Sequence, residues 1–195
     1  MTQGLPFLPA PRARADLRPG VVYAVNGEDS FIYYGQVAPN KQLGFFRFRS
    51  RTLSIAESLS SEFMSRFIVS LPSIGRALRS GTWLGLGRHD LRSELVEESV
   101  FVQWPVGTLE VTLWKGGKIL KTTRVDDPEI QHFEIIAAYD AAFHVPRRLR
   151  TDFTQADDAW SVGGSVLRHR RMKQETAIRH PDQPWHRLPA EWVPV

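Results

Sequence analysis

The chain has 195 residues, 42% of them hydrophobic and 24% charged, with a formal net charge of +4 and no cysteine. That length buries roughly two thirds of the surface an unfolded chain exposes, so the fold needs neither metal nor cross-link to hold together. The missing cysteines exclude a disulfide framework, a thiolate zinc site and a cysteine nucleophile.

The first nine residues, Met1 to Pro9, lack the basic start and continuous apolar run of a signal peptide. No apolar stretch approaches the ~20 residues that span a bilayer. The expectation is therefore a cytoplasmic protein without a membrane partner. Residues 1–19 carry four prolines and no sustained period, and read as an N-terminal arm lying over the surface. Residues 20–160 read as the core, and 161–195 as an extended C-terminal strap that docks Trp185, Leu188 and Trp192 among its prolines.

Val21 to Val25 is a strand closed by the turn residues Asn26-Gly27-Glu28-Asp29. Phe31 to Val37 and Leu43 to Arg49 are two more, and alternation in the second sends Phe46 and Phe48 one way, Phe45, Arg47 and Arg49 the other. Ser54-Ile55-Ala56-Glu57 has the form of a capping box. Phe67-Ile68-Val69 favours a strand, and Pro72 opens a helix that Gly81 ends. Thr82 to Gly87 reads as a strand, and Asp90 caps a brief helix through Leu91 and Leu95. Thr108 to Trp114 and Ile119 to Arg124 form a hairpin through Gly116-Gly117. Phe133 to Tyr139 reads as one buried strand, and Pro146 starts a last helix with Leu149 and Phe153 on one face. The predicted fold class is α+β in a single domain: a strongly twisted, mostly antiparallel sheet or partial barrel with a few short helices.

Motifs for chemistry are sparse. Gly81 to Gly87 lacks the third spaced glycine of a dinucleotide site. The six histidines show no metal-ligand spacing, although His180 and His186 are near enough in sequence to meet. No Gly-x-Ser-x-Gly elbow occurs. The adjacent carboxylates Glu97-Glu98, Asp126-Asp127 and Asp157-Asp158 point to opposite faces in a strand and suit capping or solvation. Glu134, inside an apolar run, requires a structural partner if buried. No catalytic residue, metal site or cofactor is expected.

The succession Gly20 to Val25, Tyr33-Tyr34-Gly35-Gln36-Val37, Gly81 to Gly87, Phe133 to Asp140, His144-Val145 and Arg147-Arg148-Leu149 resembles the immunity protein 26 family of bacterial toxin–immunity systems. It runs from about Gly20 to Phe153 and departs from the family at Gln36, where a basic residue is expected. The resemblance implies a bacterial, non-enzymatic toxin inhibitor of a polymorphic or contact-dependent growth-inhibition system, working by protein–protein interaction with its cognate toxin. Aromatic and arginine anchors supply most of the affinity of such an interface, which singles out Tyr34, Arg47, Arg49 and Trp83 as toxin-binding residues, with an acidic patch at Glu94, Glu97 and Glu98 as the other choice. The rival reading is a nucleic-acid-binding module using the arginine-rich flanks (Arg12, Arg14, Arg18; Arg168, Arg170, Arg171) and the aromatic strand as a stacking platform.

Overall fold

The computed structural model describes residues 7–155 and 163–195. In chain order these form β1 (Val21–Asn26), β2 (Ile32–Val37), β3 (Gln42–Ser50), α1 (Ile55–Ser60), β4 (Phe63–Val69), α2 (Leu71–Ser80) and β5 (Trp83–Arg88). There follow β6 (Phe101–Gln103), β7 (Glu110–Lys115), β8 (Lys118–Arg124), β9 (Glu134–Ile135), β10 (Ala138–Tyr139), α3 (His144–Thr154) and α4 (Val166–Arg179). The architecture is α+β, and its larger sheet is the strongly curled half-barrel that the strand pattern predicts. The described residues fall into two compact units, one running to Glu98 and resuming at Ala137, the other running from Ser99 to Ile136 and resuming after the third helix.

The first unit holds a six-stranded sheet in the order β10-β4-β3-β2-β1-β5, antiparallel except where β10 runs parallel to β4. Pairings such as Val25 with Tyr33 and Trp83, and Leu43 with Val37 and Phe67, put one residue set on the inner face. Tyr23, Val25, Tyr33, Val37, Leu43, Phe45, Phe67, Trp83 and Tyr139 are all buried, as are Ile74 and Ala77 of α2 and Val145 and Leu149 of α3. Phe67 stacks on Phe45 and meets Tyr139 edge-on. Removing each such side chain from water contributes ~1.5–3 kcal/mol. The Arg148 guanidinium lies 5.1 Å from the Phe67 ring, and its Nε donates to buried Asp152 at 2.7 Å, so a charge crosses this core only with its partner one helical turn away.

The other face is covered too. Ala24, Ile32, Tyr34 and Phe46 pack with Phe48 and Leu84, under Phe7 of the arm and Leu59 of α1. The N-terminal segment from Phe7 is thus docked: the Ala10 amide donates to the Leu78 carbonyl, and the Tyr23 hydroxyl donates to the Asp16 carbonyl. Register shifts between Phe45 and Phe46 and between Tyr33 and Gly35 mark bulges that let the sheet curl. Helix α2 ends at Gly81 as expected. In place of the expected helix from Asp90, only a 3-10 turn over Ser93–Leu95 forms.

The second unit holds a four-stranded sheet in the order β8-β7-β6-β9. Its hairpin pairs Lys115 with Lys118 through Gly116 and Gly117 at φ 59° and 78°, the left-handed conformation a two-residue turn demands. Val102, Val111, Leu113, Val125, Ile130 and Val166 make its core. Two expectations are corrected. The segment 133–139 is not one strand: Glu134–Ile135 joins β6, whereas Ala138–Tyr139 joins β4 of the larger sheet. Residues 161–195 are not an extended strap throughout, because α4 occupies Val166–Arg179 behind a Ser165 cap; only the segment after it is irregular, and it docks Trp192 but, against expectation, leaves Trp185 74% exposed.

Burial raises the Tyr23 and Tyr33 phenols above their ordinary 10.0, and for Tyr33 the hydrogen bond donated to Asp29 adds to the effect. Above that pH the unfolded chain has released protons that the folded chain retains, so stability falls as pH rises from about 10. Thermal melts at about pH 8 and about pH 11, followed with phenolate absorbance, are expected to show a lower Tm at the higher pH. They are also expected to show a jump in phenolate signal on unfolding; full ionisation of the folded protein near pH 10 would contradict this assignment.

Candidate functional site

Of the seven partner-binding residues expected from sequence, the structure keeps four in or against the fold of the sheet. Tyr34 is fully buried, and its hydroxyl donates to the Thr52 carbonyl, contacts Ser50 Oγ at 2.9 Å and accepts from the Ser54 amide at 2.8 Å. It organises the β3–α1 connection. Trp83 is 1% exposed, packs on Tyr23 and donates its indole N–H to the Ala141 carbonyl at 2.9 Å. Neither side chain presents a surface, because each hydroxyl or indole donor is consumed by backbone from another part of the unit.

Arg49 is caged. Its guanidinium bonds Asp29 at 2.6 Å and lies between the Phe31 and Phe153 rings, 4.2 and 4.3 Å from their centroids. A planar cation between two rings and beside a carboxylate is a structural clamp joining β3, the β1–β2 turn and α3. Arg47 is half-buried on β3, where its amide donates to the Glu62 carbonyl at 2.7 Å. With Phe45 and Phe46 buried and Phe48 packed into the outer cluster, β3 offers no aromatic platform on which bases stack.

Glu94, Glu97 and Glu98 come together on the segment 90–98, and the sequence reading missed what holds it. Buried Gln36 donates to the Asp90 carbonyl at 2.9 Å and accepts from the Arg92 amide at 3.1 Å, so Gln36 is an anchor for this segment. Leu95 is fully buried against Gly44, where any added Cβ would stand 2.3 Å from Leu95 Cδ2. The Arg92 guanidinium donates to the Leu59 and Ser61 carbonyls, and that of Arg66 to the carbonyls of Leu95 and Glu97. Asn40 donates to Glu98. Burial lowers the Arg66 pKa, and the Glu98 charge opposes that shift.

This clamped segment projects Val96, 57% exposed, between exposed Glu94 and Glu97. The Arg92 side chain, with the Glu94 amide and the Ser93 hydroxyl, holds the Glu94 carboxyl at about 2. The arrangement offers an aliphatic knob in an anionic rim on backbone tied down by these hydrogen bonds. The signals in sequence were Gly44, Gln36 and the arginines Arg66 and Arg92, whose spacing does not disclose that they meet at this segment.

Elsewhere, the His180 and His186 rings lie 5.7 Å apart, as their spacing allowed. Among the described residues no group of three His, Asp or Glu is placed to hold a metal ion, and no helix is long and apolar enough to cross a membrane. Asp157 and Asp158 lie outside the described residues. Comparison with family models, with curated proteins and with solved structures finds no match to this chain.

Two substitutions check this description. Gln36→Met keeps the volume but leaves the Arg92 amide and the Asp90 carbonyl without their partner, which is expected to cost about 1–3 kcal/mol and to speed amide exchange across 90–98. Unchanged exchange there would show that Gln36 does not anchor the segment. Arg49→Ala empties the clamp and leaves Asp29 with the Tyr33 hydroxyl but without its cation, with an expected loss of about 1–3 kcal/mol by chemical denaturation; a change below about 0.5 kcal/mol would return Arg49 to the list of surface anchors.

Proposed function

We propose that the chain is a non-catalytic immunity protein that binds and neutralises a cognate bacterial toxin by occlusion, using the segment 90–98 as its contact. The observation that carries this reading is the exposed Glu94-Leu95-Val96-Glu97 turn, whose outer residues meet solvent while four buried or half-buried side chains, Gln36, Arg66, Arg92 and Leu95, fix its backbone. Preorganisation of this kind lowers the ordering cost of association, because the turn loses little freedom on docking. The family resemblance along residues 20–153 supports the same class of function.

A net charge of +4 argues against a basic target when the whole chain is averaged, but docking is decided by the local field. Residues 93–98 carry three glutamates and no basic residue, so the surface suits a basic cleft in the toxin. Val96 supplies the dry centre and the carboxylates the polar rim that a partner interface needs.

The test is co-purification with the toxin encoded beside this chain, together with protection of growth. The double variant Glu94→Gln, Glu97→Gln, in which a neutral amide oxygen at position 94 can still accept from Arg92, is expected to keep the fold and to weaken binding by at least about ten-fold, mainly through slower association at low salt. Wild-type affinity in that variant would move the interface elsewhere. Failure of the unmodified pair to associate, with both partners folded, would overturn the immunity reading itself.

A further inference from the structure

The second unit contains a cleft of about 330 Å³ that none of the functional expectations used. Its floor comes from α4, where Met172, Lys173 and Thr176 follow the helical spacing that sets them on one side. Its walls come from Trp104, beyond the end of β6, and from the returning tail with Trp185, Leu188 and Trp192. The tail is latched rather than draped. Buried Arg170 donates to the Val193 carbonyl at 2.8 Å and to Gln131 at 2.7 Å, the Val195 amide donates to Gln174 at 3.0 Å, and Arg124 pairs with Glu191. These bonds seat Trp192 nearly parallel to Trp104 and offset from it, ring centroids 6.1 Å apart and planes at 13°.

Lys173 stands out in this cleft. Its Nζ lies 4.3 Å from the centre of the Trp104 ring, and it pairs with no carboxylate among the described residues. Burial lowers its pKa, and no neighbouring charge offsets the loss of water. A cation–π contact recovers only part of an ammonium's hydration, so the site is short of an anion. Trp185, 74% exposed, leaves an aromatic face open at the rim, beside the exposed cation of Arg187.

The geometry points to a small-molecule site for a planar aromatic carboxylate, its ring against Trp185 and Trp192 and its carboxylate on the Lys173 ammonium. The volume matches a ligand of one or two fused rings at the lower end of ordinary ligand pockets. Apolar walls exclude water from the ion pair and so strengthen it relative to the same pair at an open surface. Arg187 is placed to guide the anion in. This site lies within the second unit and stands or falls independently of the toxin contact at 90–98.

The probe is naphthalene-2-carboxylate, followed by shifts of the tryptophan indole N–H signals in the full-length protein, with the neutral naphthalene-2-carboxamide and with acetate as the two comparison ligands. The expected result is saturable movement of the Trp185 and Trp192 signals by the carboxylate, with both comparison ligands at least about ten-fold weaker, since one lacks the charge and the other the ring. Lys173→Met, which keeps the apolar stem over Trp104, is expected to weaken the carboxylate about ten-fold and to leave the carboxamide unchanged. Trp185→Ala, at an exposed position that does not threaten folding, is expected to weaken both ring-bearing probes. Equal affinity for carboxylate and carboxamide would overturn the role of Lys173, and no saturable shift at probe concentrations above about 1 mM would overturn the site.

Discussion

A sheet that buries both of its faces decides where this protein can act. On β2 and β3, neighbouring residues point to opposite sides and yet Tyr33, Tyr34, Phe45 and Phe46 are all sealed from water. Helices α2 and α3 cover the inner side, while the docked arm and α1 cover the outer. Side chains on β1, β2 and the first half of β3 are therefore committed to packing, and the connections of this unit are left as accessible surface. The segment 90–98 is such a connection. It gains its definition from the same sheet, because Gly44 and Gln36 are strand residues whose role is to receive Leu95 and the backbone at Asp90 and Arg92.

Arginine is used here mainly as mortar. Arg66 and Arg92 end on main-chain carbonyls, Arg170 ends on a carbonyl and an amide, Arg148 is paired with Asp152, and Arg49 is held by Asp29 and two rings. The guanidinium suits this work because its five donors lie in one plane and it stays charged when partly dehydrated. A count of basic residues consequently overstates the positive surface, which is why an average of +4 coexists with a locally anionic turn.

Much of the fold was legible because its cues are local. The hairpin at Gly116-Gly117, the stop at Gly81 and the first strands follow from turn chemistry and alternation, and each forms where expected. The run from Phe133 to Tyr139 misled because its apolar pattern is continuous, whereas its pairing is not: its two ends hydrogen-bond to β6 and β4, and only tertiary partners distinguish them. Helix α4 was missed for a related reason. Its stretch from Val166 to Arg179 is strongly polar, with few apolar residues to trace a stripe, and it is tied down through Val166 and Arg170 rather than by a broad hydrophobic face. The aromatic-arginine strand failed as a predictor of surface because alternation says which side a residue faces and nothing about what covers that side.

The candidate contact was half legible. Glu94, Glu97 and Glu98 were visible as a charged group, but a charged group in sequence is as often a solvated loop as a binding face. What separates the two is fixation of the backbone, and here fixation is supplied from residues 36, 44, 59, 61 and 66, which lie more than twenty-five positions upstream. The same clamp shapes the electrostatics. Arg92 serves the backbone through one nitrogen and Glu94 through others, so the carboxyl stays ionised down to about 2. Charge on that residue therefore survives acidification well past the ordinary carboxylate range, because the ionised form alone can accept from Arg92, Ser93 and its own amide together. The turn and the charge it displays are thus one construction, set by the guanidinium beneath them rather than by the solvent above.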